Sequence, residues 1–468
     1  MDLRGSINTE CEDIVEEEEI NEEEVIDDSE ERELVDSCST KVLDTADQPR
    51  DRFKIVYILF YLFGITSLVP WNFLITANDY WMYKFRDVSP SNLTLEVRKT
   101  PFQAEFTSYL NVATAIPNLI FLILNSLYGH LVSVKSRLQC SLLIITISFL
   151  VTTSMVQVNT DGWQNGFFIL TMVTVKNRYD LKICSNMNTF VSAASAVFIG
   201  GLVGIASRFS KEYMGAVVSG QSLGGIIAAI AQIISLAFKI SPLHSALIYF
   251  VIADIMVITS LVSYVWLYKI DFFTHHVLMG CGMAQNRHRE VSIVGVLKKI
   301  WVYAFSIFAV FAISMAVYPA VTVLVESHPV TKGTDWNNIY FVPVVNYLIF
   351  NCGDYSGRLV AGFLLQPENQ WIIAGASILR IIGVPMLMLC NAQPRKHLPV
   401  IFLWDWEYII IMIFFAFTNG YLTNIVMINS TRTVDLHERE KASSVMTTML
   451  SVGLTVGAAL GMLLVHIL

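Results

Sequence analysis

From Ile55 onward the chain alternates apolar runs of close to twenty residues with short polar links. A helix needs about 20 apolar residues to cross the hydrocarbon of a bilayer. The runs predict spans at Ile55–Thr76, Phe106–Tyr128, Leu138–Val158, Tyr213–Ala237, Pro242–Leu267, Ile300–Leu324, Ile339–Leu365, Trp371–Cys390, Tyr408–Met427 and Ser443–Leu464. An interrupted fourth span between Phe167 and Ala206 brings the number to eleven. The longest internal polar stretch, Tyr268–Lys299, divides six spans from five. The pattern therefore predicts an all-α polytopic membrane protein with about 11 transmembrane helices. Its parts are a tail (1–52), a six-helix bundle (53–267), a cytoplasmic linker (268–299) and a five-helix bundle (300–468).

Composition agrees and adds an asymmetry. The 468 residues are 54% hydrophobic and 15% charged, against about 25% charged in soluble proteins. Residues 1–52 hold 20 Asp and Glu against 5 Lys and Arg, while the rest hold 19 against 26. The tail, with EEEEINEEEVIDDSEERE, reads as solvated, disordered and cytoplasmic. Within it, Glu30 with Leu34-Val35 comes close to an acidic dileucine sorting signal. The seven cysteines form no CxxC pair, so neither a zinc site nor a disulfide framework is indicated.

With the N-terminus inside, the inner links carry fifteen Lys and Arg and the outer links eight, the sense of the positive-inside rule. Arg395 and Lys396 run against it. This orientation puts the C-terminus on the extracellular or lumenal side. The sequon at Asn92 then lies outside and is the expected glycosylation site, whereas that at Asn429 lies inside and is expected unused. The tail leaves plasma membrane and endosome or lysosome open, with the plasma membrane preferred.

One apolar run carries chemistry. Asn346 to Gly362 reads NYLIFNCGDYSGRLVAG. Asp354 and Arg358 are four apart, acid before base, on one helical face. Tyr347, Asn351, Asp354 and Arg358 together make a polar stripe. A charge at the bilayer centre costs about 2.5–3.5 kcal/mol on insertion scales, so such a pair is expected to face a bundle interior or a wet cavity. A guanidinium suits the hydroxyls of a sugar, and an aromatic such as Trp71 suits a flat base. The alternative for the pair is an interhelical strut, and for Trp71 an interfacial anchor.

Elsewhere the fourth span is broken by KNRYDLKICSNMN, read as an insert looped out at an aqueous edge or in a central cavity. Gly220, Gly224 and Gly225, and Gly453, Gly457 and Gly461, predict close helix packing. His275, His276 and His288 are expected to be solvated in the linker. No G-x-S-x-G, HExxH or phosphate loop stands in a suitable context, so the chain does not read as an enzyme.

Several motifs in order carry a resemblance: Arg50-Asp51-Arg52, Pro70-Trp71-Asn72, Ser219-Gly220-Gln221, Asn351-x-x-Asp354-x-x-x-Arg358 and Asn419-Gly420-Tyr421. With the spans, the 6+5 division and the first-loop sequon, the chain from about Gln48 to its end resembles the equilibrative nucleoside transporters. The resemblance implies a major-facilitator-like fold and facilitated diffusion of purine and pyrimidine nucleosides without cofactor or metal. It implies a monomer in the lipid bilayer that binds no nucleic acid. It implies that Arg358 bonds ribose, that Asp354 holds Arg358, and that Leu68, Trp71, Ile75, Tyr347 and Asn351 line the cavity. One departure stands out: relatives carry Gln-Gly in the fourth span, where this chain has Ile199-Gly200. Two other functions remain open: a proton-linked intracellular nucleoside transporter, and a transport-deficient membrane binding protein.

Overall fold

The computed structural model describes residues 49–84, 101–158, 175–177, 180–182, 187–238, 240–277, 292–329, 333–363, 369–393, 395 and 397–468. Residues 1–48 of the tail, Asn92 and His288 lie outside them.

The first helix, α1 (Ile55–Thr76), fills the span read from hydropathy. Asp51 holds its start: the carboxylate accepts from the backbone N–H of Val56 and Tyr57, each at 3.1 Å, and from Tyr213 Oη at 2.9 Å. These are two of the amides a helix start leaves without an internal partner. Then come α2 (Asn78–Lys84), α3 (Pro101–Tyr128) and α4 (Val134–Val156), the last with Ser133 accepting from the Ser136 amide. Where the sequence shows an insert, β1 (Val175–Asn177) pairs antiparallel with β2 (Asp180–Lys182), and Lys176 faces Leu181 in the ladder. The helix α5 (Met187–Ala206) follows, then α6 (Lys211–Ala237) and α7 (Pro242–Leu267).

The linker is more structured than its polarity suggests. A short helix runs over 271–277, and α8 (Ile293–Val317) begins seven residues before the expected Ile300, capped by Ser292. The same helix ends early because Pro319 has no N–H to continue the ladder and restricts the residue before it. His276 is not simply solvated: its ring stacks on Phe209 at 5.0 Å and lies 4.4 Å from Phe272. Phe272 and Phe273 give this segment an apolar face, packed on Phe209, that hydropathy averaged over the whole linker hides.

The eighth span opens as π-helix, Trp336–Tyr340 and Val342–Leu348, and continues as α9 (Ile349–Phe363). Pro343 lies in the π segment, where wider turns tolerate a missing donor. The ninth is α10 (Gln370–Leu379), a 3-10 turn at Arg380–Ile382, and α11 (Gly383–Met388). The chain ends in α12 (Asp405–Arg432) and α13 (Arg439–Ile467).

Among the described residues eight helices are long and apolar enough to cross a membrane, and Thr114–Tyr128 and Phe190–Ala206 are shorter apolar helices. Large apolar side chains such as Ile147, Ile255, Val262, Phe414 and Leu463 face outward, as lipid contact requires and water would not allow on this scale. Inside, one core joins Phe60, Phe63, Phe198, Val217, Phe250, Ile300 and Met446, and a smaller one joins Val317, Phe341, Phe350, Met412 and Phe415. The glycines of α13 do what their spacing predicts. A Cβ on Gly453 would stand 2.7 Å from Phe308 O, and one on Gly457 2.5 Å from Ala312 O, so α8 and α13 touch backbone to backbone.

Candidate substrate-binding site

Asp354 and Arg358 lie on the inner face of α9, at 4% and 5% exposure. Arg358 Nε donates to Asp354 Oδ2 over 2.9 Å, the i, i+4 contact their spacing predicts. The surroundings complete the carboxylate: Ser222 Oγ of α6 also donates to Oδ2, and Asn419 Nδ2 of α12 donates to Oδ1 over 2.7 Å. The acid therefore has donors from three helices, the condition for holding a charge in a buried position.

Arg358 reaches across to α6. Its Nη1 donates to Val218 O at 2.5 Å and to Gln221 Oε1 at 3.3 Å. Among the described residues no hydrogen bond reaches its Nη2. From behind, Asn424 Nδ2 donates to the Arg358 carbonyl at 2.6 Å, a second clasp between α9 and α12. Such short reaches need close backbones. A Cβ on Gly420 would collide with the carbonyl oxygen of Asp354, and one on Gly357 would stand 2.8 Å from Tyr421 N.

The other residues of the stripe divide. Asn351 Nδ2 donates to Tyr347 O at 2.9 Å, and the Asn351 amide packs against Gly225 of α6, where a Cβ would overlap its oxygen. Tyr347 and Asn351 are half-buried, so the stripe runs from half-open at its π-helical end to closed at the ion pair. Next to Asp354, Tyr355 accepts from Tyr61 Oη of α1 at 2.7 Å. Trp71 is half-buried against the larger core and Leu68 is half-buried on the same helix. The side chain of Ile75 lies outside the described residues. Ile199, the position where the resemblance leads one to expect Gln, packs half-buried against the larger core and offers no amide.

Sequence reasoning missed Ser222, Asn424 and Asn419 as members of the site. Asn419 stood in a quoted motif and Ser222 directly follows another; their polarity inside apolar runs was the available signal.

Comparisons with known proteins agree with this architecture. The profile of the nucleoside transporter family matches residues 185–294 and 281–466. The chain is 30% identical over 469 residues to equilibrative nucleoside transporter 1 of Rattus norvegicus, covering 90% of this chain and 99% of that one. It is 30% identical over 467 residues to equilibrative nucleoside transporter 2 of Homo sapiens, with 89% and 98% covered. In fold it is similar to the proton:xylose symporter XylE of the major facilitator superfamily, with TM-score 0.54, 12% identity and 87% of each chain covered. A multi-pass helical membrane protein with this fold and these relatives belongs to the nucleoside transporter family, a family of transporters and not of enzymes.

Proposed function

We propose that this chain moves nucleosides across a membrane by facilitated diffusion, and that the Asp354–Arg358 pair holds the ribose. Its similarity to equilibrative nucleoside transporters over nine-tenths of its length supports the transport. The observation that carries the ribose assignment is the geometry of Arg358. The guanidinium is fixed from one side by Asp354, bridges to Val218 O and Gln221 on α6, and keeps Nη2 for a further acceptor. Vicinal hydroxyls can take Nη2 and exchange with the Nη1 contacts to α6, so binding of the sugar and separation of α9 from α6 become one event. That coupling is what alternating access between a six-helix and a five-helix bundle requires.

The same reading takes purine and pyrimidine nucleosides alike, since no amide at Ile199 selects a base, and has the protein act as a monomer. The N-terminus is cytoplasmic, the C-terminus extracellular or lumenal, and the plasma membrane is the site of action. The ion pairs Lys54–Glu212, Arg208–Glu440 and Lys299–Glu438 join links that this topology puts on one side, which supports their grouping.

The test is uridine and adenosine flux into proteoliposomes. Saturable flux, unaffected by a pH step, is expected of the wild type. No flux is expected of Arg358→Ala, with the protein folded and inserted. Normal uptake by Arg358→Ala would refute the ribose assignment, and uptake that follows the proton gradient would favour a proton-linked carrier.

A further inference from the structure

Arg380, in the 3-10 turn after α10, is a second guanidinium inside the helical body, at 6% exposure. No ion pair to it is present among the described residues. Its Nη1 donates to Thr418 Oγ1 at 3.2 Å and its Nη2 to Ser314 Oγ at 2.8 Å. The guanidinium carbon lies 4.6 Å from the centre of the Phe415 ring, and Nε is buried without a hydrogen-bond partner. A permanent charge withdrawn from water needs a compensating field from somewhere.

The hydrogen bonds lead to it. Ser314 Oγ, which accepts from Arg380, stands 2.7 Å from Asn419 Oδ1 and equally 2.7 Å from Val310 O of its own helix, and has one proton to give. Asn419 Nδ2 in turn donates to Asp354 Oδ1 at 2.7 Å. With the Ser314 proton given to Asn419, every donor points the same way, from cation to carboxylate, and each bond polarises the next. The members are Arg380, Ser314 of α8, Asn419 of α12 and Asp354 of α9, each under 9% exposed. The two oxygens of Asp354 are thus answered by two different guanidiniums: Oδ2 directly by Arg358 and Oδ1 through the relay by Arg380.

We infer that Arg380 is a positioning residue of the substrate site, which acts through Ser314 and Asn419 to fix the Asp354 carboxylate and hence the direction in which Arg358 presents its free donor. This rests on the ribose assignment above. Without the relay Asp354 can rotate about its side-chain bonds, and Arg358 loses its fixed aim at the sugar while apolar contact with the base is untouched.

The experiment compares uridine with 2′,3′-dideoxyuridine, which lacks the hydroxyls. In wild-type proteoliposomes uridine is expected to have the lower KM. Arg380→Gln should raise the uridine KM about tenfold or more, the loss of one buried charge-assisted contact, with little change for the dideoxy compound. The preference then collapses. Arg380→Lys should restore part of it, and Ser314→Ala, which removes a single oxygen, should reproduce the collapse if Arg380→Gln does not fold. Equal losses for both sugars, or an unchanged ratio, overturn the proposal. A second readout does not depend on transport: melting temperatures of Arg380→Gln, Asn419→Ala and the double variant. Shifts well short of additive support a single relay, and additive shifts overturn it. A wild type indifferent to the sugar hydroxyls refutes the ribose assignment alone, and the melting cycle still decides whether Arg380 acts on Asp354.

Discussion

Arg208 Nη2 donates to Glu440 Oε2 across 2.5 Å, and that bond ties the turn after α5 to the first turn of α13. The other carboxylate oxygen accepts from Arg137 Nη2 of α4 at 3.3 Å, and Arg137 Nη1 donates to Asn125 Oδ1 of α3 at 2.7 Å. One acid therefore holds two guanidiniums whose side chains are only 10% and 13% exposed, while its own is 34% exposed. Glu440→Gln removes the negative charge that these two largely enclosed cations share. The expected loss of stability is about 1–3 kcal/mol, between the values for exposed and buried pairs. It is read as a lower melting temperature in detergent, with a weaker dependence on salt than the wild type shows. An unchanged melting temperature would show that the cluster adds nothing to the packing of α13 on α4 and α5.

The crossing of α9 and α12 is set by Gly420, whose Cα faces the carbonyl of Asp354. Gly420→Ala would force the helices apart, and overpacking of this kind typically costs about 1–3 kcal/mol. The displacement would draw Asn419 away from Asp354 Oδ1. Uptake is expected to fall more steeply than the melting temperature, because the carboxylate loses a donor at the same time. Gly362→Ala, where an added methyl meets nothing within 4 Å, serves as the control on the same span and should leave both unchanged.

What was legible in the chain follows from distance along it. Asp354 and Arg358 are one helical turn apart, so a charged pair inside an apolar run announced its own contact. Ser222 and Asn419 meet the same carboxylate from 132 and 65 residues away, and no local pattern records that. The limits of α1 and α7 were read to the residue because hydropathy changes sharply at both ends of each. The start of α8 was missed because Lys298 and Lys299 look like loop. Lys299 instead lies within the helix and meets Glu438 at 2.8 Å.

Arg395 counted against the orientation of the links, and the structure gives it other work. Its Nε donates to Ala392 O at 2.9 Å, its Nη1 to Leu398 O at 3.1 Å and Pro399 O at 2.6 Å, and its Nη2 to Met388 O at 2.6 Å and to Cys390 O. A planar fork closes the turn that carries the chain from α11 toward α12. Arg395→Lys keeps the charge but cannot span five carbonyls from one nitrogen. The lysine variant should therefore lose nearly as much as Arg395→Ala, about 2–4 kcal/mol for several charge-assisted bonds, seen as matching drops in melting temperature. Full stability of Arg395→Lys would mean that charge alone suffices here.

The segment over 271–277 gives a pH dependence. His275 is half-buried, with Nδ1 enclosed and without a hydrogen-bond partner, and its ring centre lies 5.6 Å from that of His276. Burial first, and the neighbouring imidazole second, hold its pKa below the ordinary histidine value. The neutral ring is thus the one that fits. For a base whose folded pKa is lowered, the stability gained by burying the neutral form is present above the ordinary range and lost as pH falls through it. Arg208 Nη1 donates to Val277 O at 3.3 Å, so loosening this short helix also frees one contact of the residue that grips Glu440. Limited proteolysis of the purified protein in the linker should accelerate between pH 7.5 and pH 5.5. His275→Gln, which cannot take up the proton, should flatten that profile. An acceleration of the same size in His275→Gln would assign the effect to another group.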